Sequence, residues 1–594
     1  MNTYNKVTKY FPERLWLILT SLQIFKSVLF LPFIKFIPLL GNGHHFVLSA
    51  IPGSVLIVYS ILLFLRKYQR SYVLFISCFI DLLMIGDLLY FRYYASPLTF
   101  QTFQLWKNTS VTITSCIAMI KPTDLLLILD IPIIVFLLKK TLFQIKPRIG
   151  SGISVFFLGL ILVSIKPVVN IFNHKGYWAN ESSYENILNW GCIGFHFIDL
   201  YKAVTTCNTI SLSESQVDSI SIWLNQNNKL NLSNNNTLQE KYLSNAKGKN
   251  LIVIQCESLG GFVINNYYKG KEITPNINAL IRKSLYFNHY HSQNLYGGSA
   301  DAEFILFTSL YPVSKGSVFF RFPTFKDSTS LPLLLKRNNY STIVFHDNDK
   351  SFWNRDLAYK SLGIDKFYDI KDIKASTLDL HLNNFSLDEQ LFTYTVSKLK
   401  EQKQPFFSLI ITIDTHLGAT TRNVDGYLNS ISSLDHKLGI FLSDLQKADL
   451  LDNSMLVIYG DHPPYLDVNG IVKDDSSFSW MRYHGRQVPL IIHIPTVDSQ
   501  TITKIGGQID ALPTIAYLLG IDSKLYSSMI MGHNLLDTTR GFVVCLQNQY
   551  LGDEQFINTP YYKMQMNAYH ISDLIIRGKF FERKKYLVLH RFCK

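Results

Sequence analysis

The strongest constraint on how this chain can fold is a succession of five apolar stretches in its first 170 residues, at about 15–38, 46–65, 72–91, 124–138 and 151–170. A helix needs roughly 20 apolar residues to cross the hydrocarbon of a bilayer. Any one stretch reads equally well as a buried core helix; five in succession predict a membrane part built of spanning helices. The fourth stretch is short, and the first carries Lys26 and Lys35. The first is also too long, with too little of a cleavage motif behind it, for a signal peptide.

Basic residues set the expected orientation. Lys6, Lys9 and Arg14 precede the first stretch, Arg66, Lys67 and Arg70 separate the second from the third, and Lys139, Lys140, Lys146 and Arg148 separate the fourth from the fifth. Five spans put all three clusters on one side, which the positive-inside rule makes cytoplasmic. Everything after about residue 170 then lies outside the cell membrane. Hydrophobic residues are 47% of the chain and charged residues 17%, an excess concentrated before residue 170, so a soluble part follows a membrane part. The net charge of +13 suits an anionic partner, nucleic acid or lipid headgroup. With spans present and no nucleic-acid-binding signature, lipid is the better reading. Cys78, Cys116, Cys192, Cys207, Cys256, Cys545 and Cys593 form no CxxC pair, which argues against a structural zinc or a disulfide framework. Residues 171–247 read as a connector. Trp190 and Phe195 lie in its mixed early part, and Asn225, Asn227, Asn228 and Asn234 to Asn236 in a polar run expected to be loop or linker.

From residue 248 short β-branched runs alternate with longer amphipathic stretches, the pattern of an α/β domain with a mostly parallel sheet. Ligands collect at the carboxyl ends of such strands. Leu251 to Ile254 leads to Gln255, Cys256 and Glu257; Ser341 to Phe345 ends at His346; Ser408 to Ile413 runs into Asp414, Thr415 and His416; Met455 to Tyr459 runs into Gly460, Asp461 and His462. An isolated acid or histidine at a strand end is usually a loop residue or a helix cap. Four at one edge of one sheet form a candidate site.

Tyr296-Gly297-Gly298-Ser299-Ala300-Asp301-Ala302-Glu303-Phe304 reads as a glycine turn entering a helix, with Ser299 at its start. Free amides and the helix dipole there favour a phosphate group. The simpler reading makes Ser299 an N-cap with Glu303 near the capping-box position; the strand-end acids favour the reactive one. A serine hydroxyl is a weak nucleophile until a metal or base activates it. Glu257, Asp461 and His462, with Ser299 as fourth ligand, form an oxygen-rich set with one imidazole, suited to Mn²⁺ or Zn²⁺, with Mg²⁺ also open. Arg355 and His416 are candidates to stabilise phosphoryl oxygens. Trp353 is a candidate to pack on a small polyol, against the plainer reading of a core residue.

These motifs resemble the lipoteichoic acid synthases, membrane phosphoglycerol transferases of the alkaline phosphatase and sulfatase superfamily. The likeness rests on Ile252 to Gln255 with Glu257-Ser258-Leu259, Asp301 to Phe304, Ser309 to Pro312, Gly316 to Phe320, Phe345-His346 and Phe352 to Asp356. It extends through Tyr359 to Gly363, Asp365 to Asp369, Tyr459 to His462, Gln508 to Asp510, Pro513-Thr514 and Leu518 to Gly520. It covers about 250–520, and the five-span half is similar in layout. The resemblance implies an α-helical membrane domain (1–170), a connector (171–247), an α/β sulfatase-like extracytoplasmic domain (248–530) and a carboxyl-terminal extension (531–594). It implies metal ligation by Glu257, Ser299, Asp461 and His462, with manganese usual, and binding of glycerol phosphate by His346, Trp353, Arg355 and His416. The implied donor is phosphatidylglycerol, and the implied acceptor a glycolipid or a growing glycerol phosphate chain. Ser299 stands where the family carries threonine, Ala300 where it usually has serine, and Pro463-Pro464 departs from the common text. Alternative readings are a phosphoethanolamine transferase or a glucan-decorating phosphoglycerol transferase of the same superfamily, or an inactive lipid-binding homologue. A sulfatase is disfavoured because Ser299 opens no C/S-x-P-x-R text.

Overall fold

The five apolar stretches become helices of unequal length. The computed structural model describes residues 2–34, 47–94, 97–100, 120–140, 145, 148–172, 183–205, 209–232, 241–295, 298–314, 316–325, 328–379, 386–416, 424–464, 466, 468–482, 486–545 and 549–583. The chain divides into two units, Met1–Thr206 and Cys207–Lys594.

The first unit holds α1 (Asn2–Ile34), α2 (Val47–Phe64), α3 (Gln69–Tyr94), α4 (Asp130–Lys140), α5 (Ile149–Phe172) and α6 (Ser183–Thr205). Among the described residues, three segments are long and apolar enough to cross a membrane: Leu15–Phe33, Gln69–Arg92 and Ile149–Val169. Leu48–Phe64 is a shorter apolar helix. The fourth stretch is broken, because a 3₁₀ segment at Pro122–Ile128 precedes α4. Helices α2 and α5 approach through small residues. A Cβ on Gly159 would come within 2.8 Å of the Gly53 carbonyl oxygen, the close backbone contact typical of helices packed in lipid.

In the second unit, eight strands form one sheet: β1 (Asn250–Cys256), β2 (Leu285–Phe287), β3 (Ser341–His346), β4 (Lys366–Tyr368), β5 (Phe406–Ile411), β6 (Ser454–Gly460), β7 (Leu490–His493) and β8 (Gln500–Ile502). Their order is β8-β2-β7-β6-β1-β5-β3-β4. Only β7 runs antiparallel to its neighbours. The central strands read as continuous apolar runs because both faces are covered. Successive residues of β1 alternate between two cores. Leu251 and Val253 join one, with Phe407, Leu409, Met455 and Val457. Ile252 and Ile254 join the other, with Ile410, Leu456 and Ile458. The first core is closed by α8 (Ser299–Thr308), α9 (Arg355–Leu362), α12 (Ala511–Leu518) and α13 (Ala568–Arg577), the second by α10 (Leu387–Lys400) and α11 (Val424–Lys447).

Two expectations change. The connector is largely helical: α6 belongs to the first unit, and α7 (Glu214–Leu232) carries Asn225, Asn227 and Asn228 within the second. Asn227 is fully buried; its amide donates to Met531 O at 3.2 Å and its oxygen accepts from Gln565 at 3.0 Å. Tertiary partners thus override the low helix propensity of asparagine. Asn234 to Asn236 lie outside the described residues. The segment after 530 is no appendage, since Met531, Leu535, Ile571 and Phe580 sit in the first core.

Candidate active site

Strands β1, β3, β5 and β6 are mutually parallel, so their carboxyl ends share one edge. Glu257 follows β1, His346 ends β3, His416 lies just past β5, and Asp461 and His462 follow β6. Strand β6 can come this close because residue 460 lacks a side chain; a Cβ there would meet Leu259 O at 2.2 Å.

Glu257 is held from three sides. Its backbone amide donates to Thr412 Oγ1 at 3.0 Å, its carbonyl accepts from Thr415 Oγ1 at 2.6 Å, and Ser258 Oγ donates to its Oε1 at 2.8 Å. The other carboxylate oxygen, Oε2, accepts a 2.8 Å hydrogen bond from Ser299 Oγ. Ser299 is the first residue of α8, after Gly298 (φ 54°), and no side chain caps that helix. The hydroxyl is therefore not spent as a cap, and Glu303 is not a capping-box partner. Tyr296 and Gly297 of the glycine turn lie outside the described residues.

Asp461 Oδ1 accepts from the amides of Ser258 at 2.8 Å and His462 at 2.7 Å, while Oδ2 is buried with no hydrogen-bond partner. His462 Nδ1 lies 3.0 Å from Pro463 O. With Nδ1 donating there, the lone pair of Nε2 is left 3.4 Å from Glu257 Oε1 and 3.6 Å from Asp461 Oδ2. One donor atom from each of Glu257, Asp461 and His462 lies within 4.8 Å of the others. Asp461 Oδ2, the His462 Nε2 lone pair and Glu257 Oε1 face one another as electron-rich atoms, an arrangement that a shared cation would turn into coordination. The orphaned Oδ2 and this donor set therefore fit a divalent cation.

The electrostatics agree. Burial alone would raise the Glu257 carboxyl, but the imidazoles of His462 and His416 and the hydroxyls of Ser299 and Ser258 hold it down at about 2. Burial, then the charge of Glu257, pushes Asp461 well above the usual carboxylate range. Burial lowers His462 and His416. It also lowers His346, with help from the charge of Arg355, to about 3. All three imidazoles are therefore neutral at pH 7, and His346 sits 3.0 Å from Ile411 O through Nδ1.

The expected phosphate-binding arginine is already engaged. Arg355 is buried and forks onto Glu303, with Nη2 2.7 Å from Oε1 and Nε 3.0 Å from Oε2, and Tyr359 OH also donates to Glu303. Only its Nη1 is buried without a partner. Trp353 is half-buried against the core with φ 60°, and Asn354 follows at φ 54°. Left-handed backbone at a bulky residue is strained, and such strain clusters at functional sites.

The residue that sequence reasoning missed is Arg486. Its Nη2 donates to Asn294 Oδ1 at 2.7 Å, and Asn294 in turn donates to Gly298 O at 3.1 Å, next to Ser299. Its charge contributes to lowering His462, its Nε is buried without a partner, and among the described residues no carboxylate pairs with it. It stands on a loop, where no periodicity or strand end draws attention to it.

Comparison with known proteins bears on what such a site does. Residues 1–211 match the lipoteichoic acid synthase N-terminal domain, and residues 249–521 match the sulfatase domain. Lipoteichoic acid synthase 2 of Bacillus subtilis is 28% identical over 534 residues, covering 86% of this chain and 80% of its own length. The lipoteichoic acid synthase of Staphylococcus saprophyticus is 28% identical over 617 residues, covering 96% and 91%. The crystal structure of the lipoteichoic acid synthase LtaP from Listeria monocytogenes shares the fold, with TM-score 0.52 and 24% identity over 62% of this chain and 98% of that one.

Proposed function

The chain belongs to the lipoteichoic acid synthase family and is a phosphotransferase, and on that premise we propose that it moves glycerol phosphate from phosphatidylglycerol through a covalent intermediate on Ser299. The observation that carries this reading is the 2.8 Å bond from Ser299 Oγ to Glu257 within a buried carboxylate–imidazole cluster. Ser299 Oγ attacks phosphorus, the bond to the diacylglycerol oxygen breaks, and diacylglycerol leaves with a proton. An acceptor hydroxyl then displaces the serine and takes the glycerol phosphate, restoring Ser299. Glycolipid or the end of a glycerol phosphate chain is the acceptor.

Glu257, Asp461, His462 and Ser299 would hold a divalent cation, manganese by family habit, which when bound lowers the pKa of the hydroxyl and offsets phosphate charge. Glu257 aims the serine oxygen. His416, kept neutral by burial, can donate a hydrogen bond to a phosphoryl oxygen, while the proton released by Ser299 Oγ goes to the leaving alkoxide. His346, Trp353 and Arg355 line the glycerol phosphate. Five crossings would put the second unit outside the cytoplasmic membrane, beside its lipid donor, with 248–530 as its catalytic part; the basic clusters support this orientation.

The test incubates the purified full chain with phosphatidylglycerol labelled in its terminal glycerol, or with headgroup-labelled phosphatidylethanolamine. Label from the first lipid should map to Ser299, vanish in Ser299→Ala, and vanish with excess chelator until Mn²⁺ is restored. Label on Ser299 from phosphatidylethanolamine alone would reassign the donor.

A further inference from the structure

The first unit carries a charge problem that phosphoryl transfer does not use. Lys26 of α1 pairs with Asp81 of α3 and, at 2.5 Å, with Asp130 at the start of α4. All three side chains are about 5% exposed or less. Asp81 lies 12 residues from Gln69 and 11 from Arg92, the ends of its apolar span, so it sits ~17 Å from either end at ~1.5 Å per residue. Lys26 lies 11 residues from Leu15 and 7 from Phe33. Among the described residues one ammonium pairs with two carboxylates, a net charge of −1 for the triad deep in an apolar helix bundle. An uncompensated charge at that depth is strongly disfavoured. Asp81 Oδ2 and Asp130 Oδ1, the oxygens not bound to the ammonium, are buried with no hydrogen-bond partner. On the same face of α1, one turn apart, Gln23 and Ser27 also bury side-chain polar atoms without partners. Other titratable groups of this unit are Tyr59 of α2, hydrogen-bonded to Ser77 at 3.2 Å, Cys192 of α6, Asp87 of α3, which lies 3.4 Å from Cys192 and pairs with His196 at 3.0 Å, and the buried Lys166 of α5, set over the Trp190 ring.

We infer that Lys26, Asp81 and Asp130 form a proton-binding site in the middle of the membrane part. One exchangeable proton is held by one of the two carboxyl groups, which brings the triad to zero charge. The other carboxylate pairs with the ammonium. The inference rests on reading α1 and α3 as spans.

A lipophilic carbodiimide tests it, because it reacts with a carboxylic acid rather than a carboxylate. The acid proton moves to a carbodiimide nitrogen while the carboxyl oxygen bonds the central carbon. Acyl migration then leaves an N-acylurea carrying the whole mass of the reagent. The full chain in phosphatidylcholine vesicles is treated with dicyclohexylcarbodiimide, or with a water-soluble carbodiimide, and its peptides are weighed. One adduct per chain is expected, on Asp81 or Asp130, from the lipophilic reagent only and unprotected by sodium. Asp81→Asn should abolish labelling at Asp130 as well, since Lys26 then balances the remaining carboxylate without a proton. No adduct on the wild-type chain, adducts on both residues, or persistent labelling of Asp130 in Asp81→Asn would overturn the proton site. Protection by sodium would replace the proton with a metal cation and equally overturn it. Equal labelling by the water-soluble reagent would instead defeat the reading of these helices as spans.

Discussion

The two arginines near Ser299 do different work, and their substitution separates the roles. Arg355 is neutralised by Glu303 in a fully buried pair, so Arg355→Gln leaves a carboxylate without its partner and is expected to destabilise the fold by about 3–5 kcal/mol. Among the described residues the Arg486 side chain is anchored to the neutral Asn294 and to no carboxylate, which leaves its charge available to a phosphate. Arg486→Gln is expected to lower kcat/KM on the order of 100-fold with little change in thermal midpoint, and Arg486→Lys to recover part of it. Steady-state kinetics and melting curves on the same preparations check both. A third residue governs stability against pH. Asp347, next to His346, buries both carboxylate oxygens without a partner. Burial, with the charges of Asp414 and Asp369 acting against Lys374, raises it from 3.8 to about 7. Between about pH 4 and 7 the folded chain holds this proton more tightly than the unfolded chain, so its contribution to stability falls as pH rises and levels off above about 7. Asp347→Asn removes that titration. The variant should gain on the wild type by on the order of 3 kcal/mol at pH 8 and by little at pH 4, read from melts across the range.

The carboxyl-terminal ends of the strands impose their own requirement, that backbones meet where the site is built. Gly460 ends β6 against Leu259 O, and any side chain there must push the end of β6 away from the β1 turn. Gly460→Ala should displace Asp461 and weaken Mn²⁺ binding by about 10–100-fold in calorimetry, with circular dichroism of the sheet unchanged. The strands that carry the site were legible in the sequence because each is buried on both faces and reads as an unbroken apolar run ending in a polar group. Glu257, Asp461 and His462 could therefore be picked out as strand-end residues, and Ser299 separately as the start of a helix after a glycine turn; the structure brings the first three within 4.8 Å and Ser299 Oγ to 2.8 Å from Glu257. Strands β2, β4 and β8 were not legible, since three residues are too few to show a period. Nor was the fork of Arg355 onto Glu303, 52 residues apart, because side-chain pairing at that range depends on how α8 and α9 dock. Helix α7 was hidden for the opposite reason. Its asparagines signal loop locally, and only partners some 300 residues away make them helical.

At the scale of the whole molecule, those distant partners decide where the catalytic unit ends. Asn227 ties α7 to Met531, His533 and Gln565, and Trp223 Nε1 donates to Met564 O at 2.9 Å. Arg540 pairs with Asp510 at the amino end of α12, and Gln293 donates to Val544 O at 2.8 Å, so residues after 530 bond directly to the segment that leads toward Ser299. Ser572 and Asp573 of α13 receive or supply further bonds at Tyr311 and Ser314. These contacts close the face of the sheet that α8 packs on, and α8 carries Ser299, the proposed nucleophile. Asn227→Leu keeps the size of the side chain but leaves the Gln565 amide and the Met531 carbonyl buried and unbonded, at about 1–3 kcal/mol each. The expected result is a chain that melts early and loses Ser299 labelling on warming while its cold activity persists. A chain stopped after Ile530 loses all of these contacts at once and should yield no cooperative melt and no labelled Ser299 at any temperature. Normal labelling by the shortened chain would mean that the sulfatase-like segment folds without its carboxyl-terminal cover.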